Sequence, residues 1–131
     1  MVTHSTLRSG YVELVIPEER FPCPLVNVNE DRGQSRHLAR KRAPWRALGY
    51  LLARGMTPVP CPVTITALFR WPDKRVRDSP NWYPTIKALV DGIVSAGVLE
   101  NDDDRHVTLL SMGPDLPHGP KRITLRIETV Q

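Results

Sequence analysis

PTIKALVDGIVSAG, residues 84–97, is the stretch on which the fold turns. Proline opens it and glycine closes it, the usual punctuation of a helix. Ile86, Leu89, Val90, Ile93 and Val94 recur at helical spacing and make one apolar stripe. Lys87 and Asp91, four residues apart, share the opposite face. Before it stands VTITALFRW (63–71), where Val63, Ile65, Ala67 and Phe69 alternate on one face of a strand. After it comes HVTLLSMG (106–113), a second strand, and then RITLRIETV (122–130), a third. The last two are expected to pair as a long hairpin across PDLPHGPK.

Toward the N-terminus, YVELVIP (11–17) reads as a fourth strand. PWRALGYLLARG keeps Trp45, Leu48, Leu51 and Leu52 at helical spacing and stops at Gly55. Pro44 fits its first position, or the helix begins near Arg36 and Pro44 kinks it. Residues 18–35, 55–62 and 71–83 are proline-rich or turn-rich connectors, the first long enough to suggest a functional loop. The expected fold is α+β: a four-stranded mixed β-sheet with two α-helices packed on one face, in one small domain spanning 1–131. A homodimer is expected.

Bulk properties bound the function. The 131 residues suit one domain, and 40% apolar content can fill one modest core. No apolar run reaches membrane-span length and the first residues lack a hydrophobic signal core, so a soluble, cytoplasmic protein is expected. Cys23 and Cys61 stand far apart and are read as reduced thiols, and no spacing suggests zinc. Eighteen basic residues against fourteen acidic leave a net charge of +4, which permits nucleic-acid binding without establishing it.

The distribution of charge says more. SRHLARKRAPWR gathers Arg36, Arg40, Lys41, Arg42 and Arg46 at or before the first helix's N-terminal end. The macrodipole is already positive there, so a bound phosphate would relieve the conflict. Alternatively, the long arginines extend into water. Acid, by contrast, gathers in Asp102, Asp103 and Asp104, with Asp78 ahead of the second helix. That helix is about 20 Å long, and residues 97–104 extend at most ~26 Å, so the loop can return toward Asp78. Carboxylates facing a basic groove suit magnesium, a hard ion that keeps several waters and sits between protein and phosphate. Lys87 is placed to neutralise charge developing on a phosphate, and Arg75, Arg77 and Arg105 to hold backbone phosphates. Each feature also has a plain structural reading: a solvated acidic turn, a surface Lys87–Asp91 pair, a packed His106. Trp82 and Tyr83 can stack on bases or pack beneath the loop.

The combined pattern RDSPN-x5-K-x3-D-x4-AG-x4-DDDRHV, residues 77–107, resembles the RusA family of Holliday junction resolvases. These are small dimeric magnesium-dependent endonucleases of phages and prophages. Arg77-Asp78, Asn81, Lys87, Asp91, Ala96-Gly97 and Asp103-Asp104 stand in the family's order. The resemblance implies that Asp78 and Asp104 are metal ligands and catalytic residues, that Lys87 stabilises the transition state, and that Asn81 orients the substrate. It implies Mg2+ as cofactor, with Mn2+ as substitute, and four-way DNA as substrate. Two departures stand out. Pro80 occupies the place of a second aspartate, and the acidic loop is about two residues longer, leaving Asp102, Asp103 and Asp104 as rivals for one role. One extra aspartate replaces the missing ligand, or the site is weakened and only DNA binding survives.

Overall fold

Four segments that alternate along the sequence fold as long strands, and the periodic stretches between them fold as helices. The computed structural model describes residues 3–5, 10–31 and 35–130. Its elements are β1 (Thr3–Ser5), β2 (Tyr11–Pro17), α1 (Ser35–Ala53), β3 (Val63–Arg70), α2 (Tyr83–Ser95), β4 (Val107–Pro114) and β5 (Arg122–Thr129). Short 3-10 turns cover Glu18–Arg20, Val28–Asp31 and Ser79–Trp82. This is the expected α+β domain, with the short β1 added at one edge of the mixed sheet.

The sheet order is β1-β2-β5-β3-β4. β3 and β4 run parallel, joined by α2 as crossover, and every other pairing is antiparallel. The expected hairpin between the last two strands is therefore corrected: β5 inserts between β2 and β3. The 115–121 connection steps over the end of β3, where Asp115 N–H donates to the Phe69 carbonyl (2.8 Å) and Gly119 N–H to that of Trp71 (3.0 Å). Burial explains the choice. β5 buries Ile123, Leu125 and Ile127 on its core face, as suits a central strand, while the other face carries buried Thr124 beside exposed Arg126. β4 buries none of its residues fully and leaves Leu109 57% exposed, which suits an edge.

One face of the sheet carries the core: Val12, Leu14 and Ile16 of β2, with Val63, Ile65, Ala67 and Phe69 of β3, meet Ile86, Leu89 and Ile93 of α2. Each such side chain contributes about 1.5–3 kcal/mol by leaving water. α1 adds Trp45, wholly buried, whose indole Nε1–H donates to the Pro24 carbonyl at 3.2 Å. Phe21 meets the same ring edge-on, its centroid 5.1 Å away. The connector is thus pinned at Phe21 and Pro24, and Val26 lies buried against α2. α1 and α2 touch at two glycines. A Cβ on Gly92 would lie 2.1 Å from the Arg46 carbonyl oxygen, and one on Gly49 2.3 Å from that of Leu89. No larger residue permits that approach.

α1 starts at Ser35, well ahead of Pro44, so the earlier of the two expected helix starts is the one adopted. Pro44 sits in the interior, where it cannot donate to the Arg40 carbonyl. Of the basic cluster, Arg36 lies in the first turn, while Arg40, Lys41, Arg42 and Arg46 lie along the body of the helix. Among the described residues, no helix is long and apolar enough to cross a membrane.

Candidate functional site

The acidic loop does fold back along α2. Asp102 and Asp104 line an open groove of about 500 Å³ together with Tyr83, the first residue of α2, and Lys87 one turn further on. The start of β4 closes its other side through Thr108 and Leu109. Lys87 Nζ donates to Asp91 Oδ1 at 2.7 Å along its own helix and to Asp102 Oδ2 across the groove. Partial burial pulls the ammonium's pKa down, but the hydrogen bonds and charges of Asp102 and Asp91 outweigh it, and the pKa is raised. The hydrogen bond from Lys87 holds the Asp102 carboxyl below the usual carboxylate range.

The three consecutive aspartates have different surroundings. Asp103 closes the turn into β4: its Oδ1 accepts from Arg105 N–H (3.0 Å) and lies 2.6 Å from His106 Nδ1. The His106 hydrogen bond, followed by those from Arg105, lowers its pKa. Glu100 lies on the other side of His106, 3.7 Å from Nε2. Asp104 makes no hydrogen bond or ion pair with a described residue; it is exposed and lines the groove.

Asp78 is also exposed, at the cap position of the Ser79–Trp82 turn, with no side-chain hydrogen bond to it. Asn81 N–H donates to the Asp78 carbonyl at 3.0 Å, tying the two residues through the backbone. Asp78 is not among the residues lining the groove. Among the described residues no three His, Cys, Asp or Glu side chains converge as a metal-ligand set. Magnesium often takes only one or two carboxylates beside waters and substrate phosphates, and the pair Asp102 and Asp104 fits that smaller requirement.

The basic residues fall into two groups. Arg77 is held on the protein, 2.9 Å from Asp73 and stacked 4.6 Å above the Trp71 ring, which Trp82 also meets at 5.8 Å. Arg75 is exposed beside it, and the Arg105 guanidinium reaches Asp103 at 3.3 Å. On the other side of Lys87, Arg42 and Arg46 of α1 line a second groove of about 410 Å³. Arg40 is exposed on the same helix, Lys41 is half-buried, and the Arg36 side chain lies outside the described residues. Arg46, named in the sequence only as part of the basic cluster, and Tyr83 (43% exposed), named only as a stacking candidate, both line grooves beside Lys87. Arg46 is four residues after Arg42, a spacing that shares a face only once a continuous helix is recognised.

No protein-family model matches this chain, and no curated protein matches it.

Proposed function

We propose that this protein is a magnesium-dependent endonuclease that resolves four-way DNA junctions by paired phosphodiester nicks, acting as a homodimer in the cytoplasm, with manganese as a substitute ion. The observation that carries this reading is the groove in which Lys87, Asp102 and Asp104 meet, with cationic Arg42 and Arg46 just beyond Lys87. Asp102 and Asp104 hold the ion beside waters and substrate phosphates, whereas Asp78, exposed in the loop before α2 and outside this groove, is a ligand candidate on the family resemblance and not on the geometry. When bound, magnesium supplies a Lewis acid and lowers the pKa of its water. Lys87 offsets negative charge growing on the phosphate oxygens in the transition state. Selection for branched DNA comes from the shape and charge of the protein, because phosphate contacts carry no direct sequence information.

A second reading is a branched-DNA-binding protein without cleavage. Pro80 in place of a carboxylate favours it, as does the engagement of Asp103 by Arg105 and His106. A labelled four-way junction and a linear duplex of the same arms separate the two. Each is incubated with magnesium, with chelator, and with Asp78→Asn and Asp104→Asn proteins. Paired nicks in the junction alone, abolished by chelator and by the variants, support the nuclease. Junction binding without a cut under magnesium or manganese refutes it and leaves the binding protein.

A further inference from the structure

Trp82 and Tyr83 are adjacent in sequence, but their surroundings differ. Trp82 packs on Trp71, ring centroids 5.8 Å apart, against the core. Tyr83 opens α2, is 43% exposed and lines the carboxylate groove. Lys87 and Val90 follow it at helical spacing and line the same groove, so one face of α2 runs from an aromatic ring through an ammonium to an aliphatic side chain. Leu109 of β4, 57% exposed, lines the other wall. Charge in this groove is nearly spent. Lys87 is paired with both Asp91 and Asp102, and Asp104 adds a carboxylate, so the groove does not attract a bare anion. A phosphate enters it together with the ion proposed for Asp102 and Asp104. An ion and a phosphate make no use of the Tyr83 ring or the Leu109 side chain. Large apolar side chains kept in water inside a charged groove fit a ligand that is ionic at one end and apolar at the other.

We infer that the groove takes one whole nucleotide of a DNA strand, its base turned out of the stack onto the Tyr83 ring and its phosphate at the Asp102 and Asp104 end. The inference rests on the nuclease reading for the ion and for the strand. Every base has a π-face, so stacking on tyrosine holds it without sequence preference, as a structure-selective enzyme needs. Tyr83 and Lys87 are one helical turn apart, about 6 Å along the axis, which is comparable to the reach from a phosphate to its own base. At about 500 Å³ the groove admits a single nucleotide rather than a duplex. Unstacking costs least where pairing is already disturbed, and the branch point of a four-way junction is such a place. Tyr83 therefore favours branched over linear DNA by accepting a base that a branch releases more readily than a duplex does.

The test measures equilibrium binding of the full chain to an uncleaved four-way junction in calcium. Wild type, Tyr83→Ala and Tyr83→Phe are compared on the intact junction and on a series carrying one abasic nucleotide at successive positions near the branch. Tyr83→Ala is expected to weaken binding to the intact junction about tenfold, while Tyr83→Phe keeps the ring and the affinity. At one abasic position the wild type should lose the same factor and Tyr83→Ala nothing further. Equal weakening by Tyr83→Ala on the intact and on every abasic junction overturns the inference, as does no weakening at all, even if the wild-type chain cuts junctions. Coupling in a chain that never cuts upholds the nucleotide seat and removes the nuclease. Calcium-dependent binding of free deoxynucleoside monophosphate that Tyr83→Ala abolishes, without coupling on the junction, assigns the groove to free nucleotides and overturns the inference. A wild-type chain that binds no DNA overturns both the seat and the nuclease.

Discussion

Lys87 and Asp102 form an ion pair that joins α2 to the acidic loop, across the groove that Asp104 also lines. Both side chains are partly exposed, so the pair is worth about 0.2–1 kcal/mol. It fixes the loop more than it stabilises the fold.

Its pH dependence follows from the two shifts. Hydrogen bonding to Lys87 depresses the Asp102 pKa, so its contribution is present above the unfolded carboxylate value of about 3.9. It is lost as pH falls through the lower folded value. The Lys87 pKa is raised, burial being outweighed by its two aspartates, so its contribution is complete below the ordinary lysine value. It is lost as pH rises through the folded value. Urea titrations of wild type and Asp102→Asn should therefore differ by a constant amount through neutrality and converge at both extremes. A difference that grows toward acid would contradict the pair.

Asp103 and Asp104 should separate cleanly as structural and functional carboxylates. Asp103→Ala removes the acceptor for Arg105 N–H and His106 Nδ1, and is expected to cost about 1 kcal/mol in stability. Asp104→Asn touches no described partner and should change stability by less than about 0.5 kcal/mol. In Mn2+ titration calorimetry the order should reverse, with Asp104→Asn losing affinity and Asp103→Ala keeping it. Equal Mn2+ binding by Asp104→Asn and wild type would remove Asp104 from the proposed metal site.

The helix contact is a steric prediction. A Cβ at Gly92 meets the Arg46 carbonyl oxygen at 2.1 Å and the Tyr50 nitrogen at 2.6 Å, both backbone atoms that cannot swing aside. Gly92→Ala should force α1 and α2 apart and cost about 1–3 kcal/mol or more. Gly113→Ala on β4 meets nothing within 4 Å and serves as control. Comparable denaturation midpoints for the two would show that the helices pack less closely than described.

Local periodicity carried the elements and non-local pairing did not. Val63, Ile65, Ala67 and Phe69 announce β3, and the stripe from Ile86 to Val94 announces α2, because each pattern is complete within its own segment. The hairpin expectation failed because a short linker favours neighbours in sequence, whereas a place between β2 and β3 pairs both edges of β5 and centres Ile123, Leu125 and Ile127 in the core. A trace of this was present: RITLRIE alternates strictly, as a core strand does, and VTLLSMG does not. For the site, the reach of the acidic loop was calculable, but the differing partners of Asp102, Asp103 and Asp104 were not. Three identical residues in a row differ only in where the turn aims them. The groove beside Arg42 and Arg46 was not legible either, since Pro44 left two possible starts for α1 and only the earlier puts both arginines on one helix.

Thr85 ties the long N-terminal connector to α2 and gives the last prediction. Its hydroxyl accepts from Val26 N–H at 2.7 Å and donates to the Val26 carbonyl at 3.1 Å, and the residue is wholly buried. Thr85→Val keeps the shape but leaves both backbone groups unpaired in the interior, at about 1–3 kcal/mol for each. Thr85→Ser keeps the hydroxyl and loses one methyl, about 0.8 kcal/mol. The valine variant should therefore be the less stable of the two although it is the more apolar. Its connector should also loosen, so trypsin should cut faster after exposed Arg20. Stability in the order valine above serine, with unchanged protection at Arg20, would mean that apolar contacts rather than this hydroxyl hold the connector against α2.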